Sequence, residues 1–152
     1  MKNITLIVLI LFLYNCGYSS IYSNQKFRDL RINIIETKGD RDINNLIKNE
    51  IKLYSNINST NIYNIKIDTD FKKNILTKNS SGEITDYTLS IVAIFILELN
   101  GKTLNMQFEE GIDIKNQLDS FEQSIYEKNI KKNFASSIRE KFYSKIYSLN
   151  DN

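Results

Sequence analysis

The 152-residue chain contains no histidine, no proline and no tryptophan, and only one cysteine. Each absence removes a class of function. Without histidine, the usual general base near neutral pH and the commonest metal ligand are missing. With Cys16 as the single cysteine, no internal disulfide can form. A lone thiol in an exported chain fits an acylated one. The formal net charge is only +2, so there is no strong field for nucleic acid. No Gly-Lys-Ser/Thr phosphate loop, no Gly-x-Ser-x-Gly elbow and no cysteine pair occurs. Asp68 and Asp70 share one face of an alternating stretch, and Glu109 adjoins Glu110. Paired carboxylates can do acid–base work or hold a metal. Here no third ligand and no histidine accompanies either pair, so ordinary surface acids are expected. The expectation is a protein that is not an enzyme and carries no metal.

What is present begins at the N-terminus. Met1-Lys2-Asn3 carries one positive charge, Ile4 to Leu13 is apolar apart from Thr5, and Leu13-Tyr14-Asn15-Cys16-Gly17 closes the segment. A charged start, an apolar run and a processing site make a secretory signal. The run is too short to span a bilayer, which takes roughly 20 apolar residues. Leu13 three places before Cys16 resembles the lipobox of bacterial lipoproteins, although Asn15 stands where that pattern places Gly, Ala or Ser. The resemblance implies that residues 1–15 are removed and that Cys16 carries a covalent lipid, the only attached group expected. Each buried CH₂ contributes about 0.8 kcal/mol, and one acyl chain gives only marginal binding. Several chains would hold the protein at its membrane. Gly17, rather than Asp, after the cysteine points by the same resemblance to the outer membrane of a Gram-negative cell.

Removal of the signal leaves about 137 residues, enough for one domain with its own core. Residues 16–26 are mostly polar and suit a lipidated tether, with Tyr18 and Tyr22 placed to meet headgroups or a protein wall. The domain is expected over 27–149. Leu30, Ile32 and Ile34 alternate with Arg31 and Asn33, a strand period, and Gly39-Asp40 ends it. Asp42 is expected to cap a helix from Ile43 to Ser55, with Ile43, Leu46, Ile47, Ile51 and Tyr54 as its apolar stripe. A second strand runs from Ile62 to about Leu76, and Lys78 to Gly82 form a turn. The third strand, Ile84 to Leu99, alternates at first and is apolar on both faces from Ile91 to Leu97, which reads as a central strand covered on both sides. Asn100-Gly101 predicts a hairpin into a fourth strand from Lys102 to about Glu109, with Glu110 to Leu118 irregular.

A long helix follows, from Asp119 or Ser120 to Ser148. In it Ile130, Phe134, Ile138, Phe142 and Ile146 recur every fourth residue. Fully buried, these five contribute at most about 8–15 kcal/mol. The order β-α-β-β-β-α predicts an α+β fold, a two-layer sandwich with a mixed four-stranded sheet and two helices on one face.

Taken in order, these features resemble the LptE family of lipopolysaccharide-assembly lipoproteins, formerly called rare lipoprotein B. The carrying residues are Cys16-Gly17-Tyr18 with Ile21-Tyr22, Leu30 to Ile34, Ile43 to Tyr54, Tyr87-Thr88-Leu89, Asn100-Gly101-Lys102 and the helix from Tyr126 to Ile146. The resemblance implies an outer-membrane lipoprotein, facing the periplasm, that plugs the β-barrel protein LptD, supports its assembly and helps deliver lipopolysaccharide to the outer leaflet. It also implies basic side chains on lipid A phosphates, for which Lys72, Lys73 and Lys78 are the candidates. The alternative is an auxiliary or regulatory lipoprotein that contacts a periplasmic enzyme or an inner-membrane transporter, because fold alone does not choose a partner.

Overall fold

The computed structural model describes residues 30–99 and 102–150. The signal, Cys16, the tether with Tyr18 and Tyr22, and the Asn100-Gly101 turn lie outside the described residues. In chain order the elements are β1 (Arg31–Gly39), α1 (Arg41–Tyr54), β2 (Ile62–Lys78), β3 (Ile84–Leu99), β4 (Lys102–Lys115) and α2 (Ser120–Asn150). The strands lie in the order β1-β2-β3-β4. β1 pairs with β2 in parallel, and the other two pairings are antiparallel. This is the mixed-sheet α+β architecture expected from the order of elements.

The corner from β1 to α1 is closed by short polar contacts. Gly39 takes φ +86°, and a Cβ there would lie 1.7 Å from the Thr69 carbonyl oxygen. Only glycine fits that position. The Asp40 amide donates to the same carbonyl at 3.2 Å. The helix cap is Asp40, not Asp42: its carboxylate accepts from the Ile43 amide at 2.8 Å. The helix thus starts two residues earlier than periodicity alone suggests, because Arg41 and Asp42 carry no apolar signal. Asn44, which lies off the apolar stripe, is buried and donates to the Lys38 carbonyl at 2.7 Å.

One face of the sheet holds the core. Ile65 and Ile67 of β2, Leu89, Ile91, Ala93, Phe95 and Leu97 of β3, and Met106 and Ile114 of β4 are buried. Ile43, Ile47 and Ile51 of α1 pack with them, as do Ile130, Phe134, Ile138, Phe142 and Ile146 of α2. Phe142 stacks on Phe95 with ring centroids 4.6 Å apart. A step of four residues advances a helix by about 40° beyond a full turn. The α2 stripe therefore winds around the helix, and its fourth residue, Phe142, still faces the sheet. Tyr143 and Arg139, off that stripe, are buried as well, because α1 covers the flank.

Two expectations change. β4 does not end at Glu109 but continues to Lys115. Gly111-Ile112-Asp113-Ile114-Lys115 keeps the period of two, and the first half of β3 supplies its partners, from Ser90 opposite Gly111 to Asp86 opposite Lys115. β3 is central, yet among the described residues helices cover it on one side only. Val92, Ile94 and Ile96 face away from the helices and are half-buried. They are flanked by Asp70, Asp68 and Lys66 on β2 and by Glu109, Gln107 and Asn105 on β4. Those longer side chains screen them without a second layer.

Gly39→Ala should destabilise the fold by at least about 2 kcal/mol, since positive φ and a backbone clash act together. Urea denaturation checks this. A loss below about 0.5 kcal/mol would mean the corner can open without cost.

Candidate functional site

β1 pairs with β2 only as far as Thr69, and α1 begins at that level. β2 runs on through Asp70–Lys78, paired to β3, and β4 keeps pace to Lys115. The sheet therefore projects as a three-stranded distal ribbon past the edge strand and past α1. The first half of α2 overlies it, with Ser137 and Lys141 reaching Glu110 at its base.

The three candidate lysines sit on this ribbon in different settings. Lys73 points to the helix side. Its Nζ lies 2.5 Å from Glu127 Oε1 and 4.0 Å from the centre of the Tyr87 ring. Beside it, Lys131 Nζ lies 4.3 Å above the Phe71 ring. Lys72 points to the opposite face and pairs with Asp70 at 2.6 Å. Lys78 ends β2 and forms no ion pair among the described residues. The ribbon thus separates Lys72 from Lys73 and leaves Lys78 at the tip, beside a turn. That turn is built by Asn79, whose side-chain oxygen accepts from the amides of Ser81 and Glu83 at 3.0 and 2.9 Å, with Gly82 at φ +83°.

Burial alone would raise the Glu127 pKa. Hydrogen bonds from Gln123 and Lys73, with the charges of Lys73 and Lys131, outweigh it and hold the carboxyl below its ordinary value. At the tip, the Thr77 and Thr85 hydroxyls hold Asp86 low; slight burial opposes them and Lys115 assists. Lys73 is thus already held by a carboxylate and a ring, while Lys72 and Lys78 are the exposed cations.

Large apolar side chains also gather at this end. Ile75, Leu76 and Ile112 on the ribbon are each near half exposed, and Leu118, Phe121 and Ile125 at the entry to α2 are exposed. The sequence carried a signal for this: the adjacent Ile75-Leu76 cannot both face a core on a strand of period two. The extension of β4, and with it Ile112, was not expected. An end that combines lysines with exposed aliphatic and aromatic side chains suits an amphiphile with anionic groups and acyl chains.

The carboxylate pairs do not converge. Asp68 and Asp70 lie on the open face, Asp70 tied to Lys72. Glu109 and Glu110 point to opposite faces, Glu110 meeting Ser137 and, at 2.7 Å, Lys141. Among the described residues no group of three such ligands could hold a metal. No helix among them is long and apolar enough to cross a membrane.

No family model matches the chain, and no curated protein matches it. Its fold is similar to that of rare lipoprotein B from Shewanella oneidensis, with a TM-score of 0.57 and 16% identity over 80% of this chain and 98% of that one. A chain from Caulobacter crescentus CB15 named as a lipoprotein aligns with a TM-score of 0.60 and 8% identity, over 84% and 94%. A minor lipoprotein from Acinetobacter baumannii aligns at 0.53 and 11%, over 78% and 92%. At these identities the likeness is one of fold, and the fold is that of the LptE-like lipoproteins.

Because the folded pKa of Glu127 is depressed, its carboxylate stabilises fully above the unfolded glutamate range, about 4.3. That contribution is lost as pH falls through the folded value. Glu127→Gln should therefore lower the urea midpoint at about pH 7 and change little at about pH 3. An equal loss at both would assign the effect to packing rather than charge.

Proposed function

We propose that the chain is an outer-membrane lipoprotein of the LptE kind, anchored by a lipid on Cys16 and facing the periplasm. It performs no covalent chemistry. It partners and plugs the LptD barrel, supports that barrel's assembly, and assists transport of lipopolysaccharide to the outer leaflet. One conjunction carries this proposal: a lipobox cysteine and a short polar tether precede a fold shared with rare lipoprotein B. Neither half alone would be enough, since lipoboxes precede many domains and folds host many functions.

The distal ribbon supports the lipid part of the proposal. Lys72 and Lys78 offer cations to lipid A phosphates, and Lys73 joins them by exchanging Glu127 for a phosphate. Phe121 and Ile125 stand exposed at the same end for acyl chains.

Mass spectrometry of the native protein should show a mature N-terminus at an acylated Cys16. A start at Met1 or a bare thiol would remove the anchor from the proposal. Extraction in mild detergent should co-purify a large, heat-modifiable barrel; recovery of an inner-membrane complex instead would favour a regulatory lipoprotein. Replacing Lys72, Lys73 and Lys78 together by Ala should weaken lipopolysaccharide binding several-fold, each exposed charge contributing up to about 1 kcal/mol. Unchanged affinity would end the phosphate role of these lysines.

A further inference from the structure

The first third of α2 is attached to the sheet differently from the rest of the helix. From Ile130 to Ile146 every turn buries an apolar side chain. Among residues 120–129 no apolar side chain is buried: Phe121 is 71% exposed, Ile125 45% and Tyr126 40%. What this part turns toward the ribbon is polar, the buried Gln123 and the largely covered Glu127.

These side chains form one line of contacts. The Gln117 amide donates to Gln123 Oε1 at 2.8 Å, Gln123 Nε2 donates to Glu127 Oε1 at 2.5 Å, and Lys73 Nζ reaches the same oxygen at 2.5 Å. Among the described residues this last contact is the one ion pair between residues 120–129 and the sheet. Beneath it, Lys73 lies opposite Leu89, and in the next row Tyr87 lies opposite Ile114. Leu89 and Ile114 are buried. An apolar strip is thus covered by a segment that buries no apolar side chain of its own and is fastened through one carboxylate. A helical segment of this length is not stable in water by itself, so its position depends on that fastening.

We propose that residues 120–129 are an autoinhibitory strap, in which Glu127 holds on Lys73 the place of a ligand's anionic group. A lipid phosphate that takes Lys73 frees Glu127 and Gln123. The strap then lifts, and the strip at Leu89 and Ile114 opens to an acyl chain. This inference rests on the lipid reading of the distal ribbon and adds its regulation: the acyl site opens once the headgroup has docked, so the free protein keeps that strip out of water.

Hydrogen exchange is followed on the full chain in detergent micelles, with purified lipopolysaccharide as the probe. In the free protein the amides of 124–129 should exchange at least about ten times faster than those of 134–146, and adding lipopolysaccharide should speed them further. Glu127→Gln should raise lipopolysaccharide affinity about three- to tenfold by removing the internal competitor. Glu122→Gln, the same change of charge at an exposed position of the same helix, should leave affinity unchanged. In a Lys73→Ala background Glu127→Gln should have no effect, since the two residues act as a pair. The strap is overturned if 124–129 are protected as well as 134–146, if lipopolysaccharide binds without speeding their exchange, or if both glutamine variants raise affinity equally. Absence of any lipopolysaccharide binding overturns the lipid reading itself, and this regulation with it.

Discussion

One helical step in the middle of α2 faces two surfaces at once. Phe142 stacks on Phe95 of the sheet, and the next residue, Tyr143, turns about 100° away to donate its hydroxyl to the Ile51 carbonyl of α1 at 3.0 Å. Burial holds that phenol far above its usual titration range, the neighbouring Tyr147 adds to this and Arg139 opposes it. Arg139 stands one turn before Tyr143. Its guanidinium meets Glu50 of α1 at 2.7 Å and Glu140 at 2.8 Å, and lies over the Tyr54 ring. A guanidinium buried this far is tolerable only with carboxylates to balance it. The helix can satisfy both residues only where sheet and α1 meet at an angle, so the N-terminal β1–α1 unit and the C-terminal helix depend on each other.

That corner also decides where the molecule is left open. α1 and β1 reach only to the level of Thr69. Beyond it β2, β3 and β4 extend with one helix above them instead of two; Leu89, Ile91 and Ile114 stay buried there, while Ile75, Leu76 and Ile112 are about half exposed. Among the described residues the opposite face of the sheet carries no helix. A protein built this way has surface to give to other molecules: an apolar, lysine-bearing tip, an open strand edge, and a sheet face screened only by long polar side chains.

Much of the fold was legible because burial leaves a periodic trace. The third strand was placed from Ile84 to Leu99, and those are its limits in the structure. Ile43, Ile47 and Ile51 on α1, and the five-residue stripe of α2, are buried as their spacing requires. What escaped was polar or conditional. Asp40 caps α1 because its backbone already bonds to β2, a contact made by residues distant in sequence. Arg139 and Asn44 look like surface residues until their partners, Glu50 and the Lys38 carbonyl, are in place. For the candidate lysines the sequence could mark a turn and its charges, but not that Lys72 and Lys73 pair with different carboxylates on opposite faces.

By itself the chain determined its element types, their order and the apolar stripe of each helix, since these follow from local periodicity and turn chemistry. The lipobox resemblance around Cys16, too, is a local pattern. Only the tertiary structure decided that β4 continues past Glu109, that α2 serves two surfaces, and that the distal ribbon and the β4 edge are left uncovered by the other described residues. These outcomes depend on relative element lengths and on which neighbour arrives to cover a side chain, and such contacts join residues too far apart in sequence to leave a local signal.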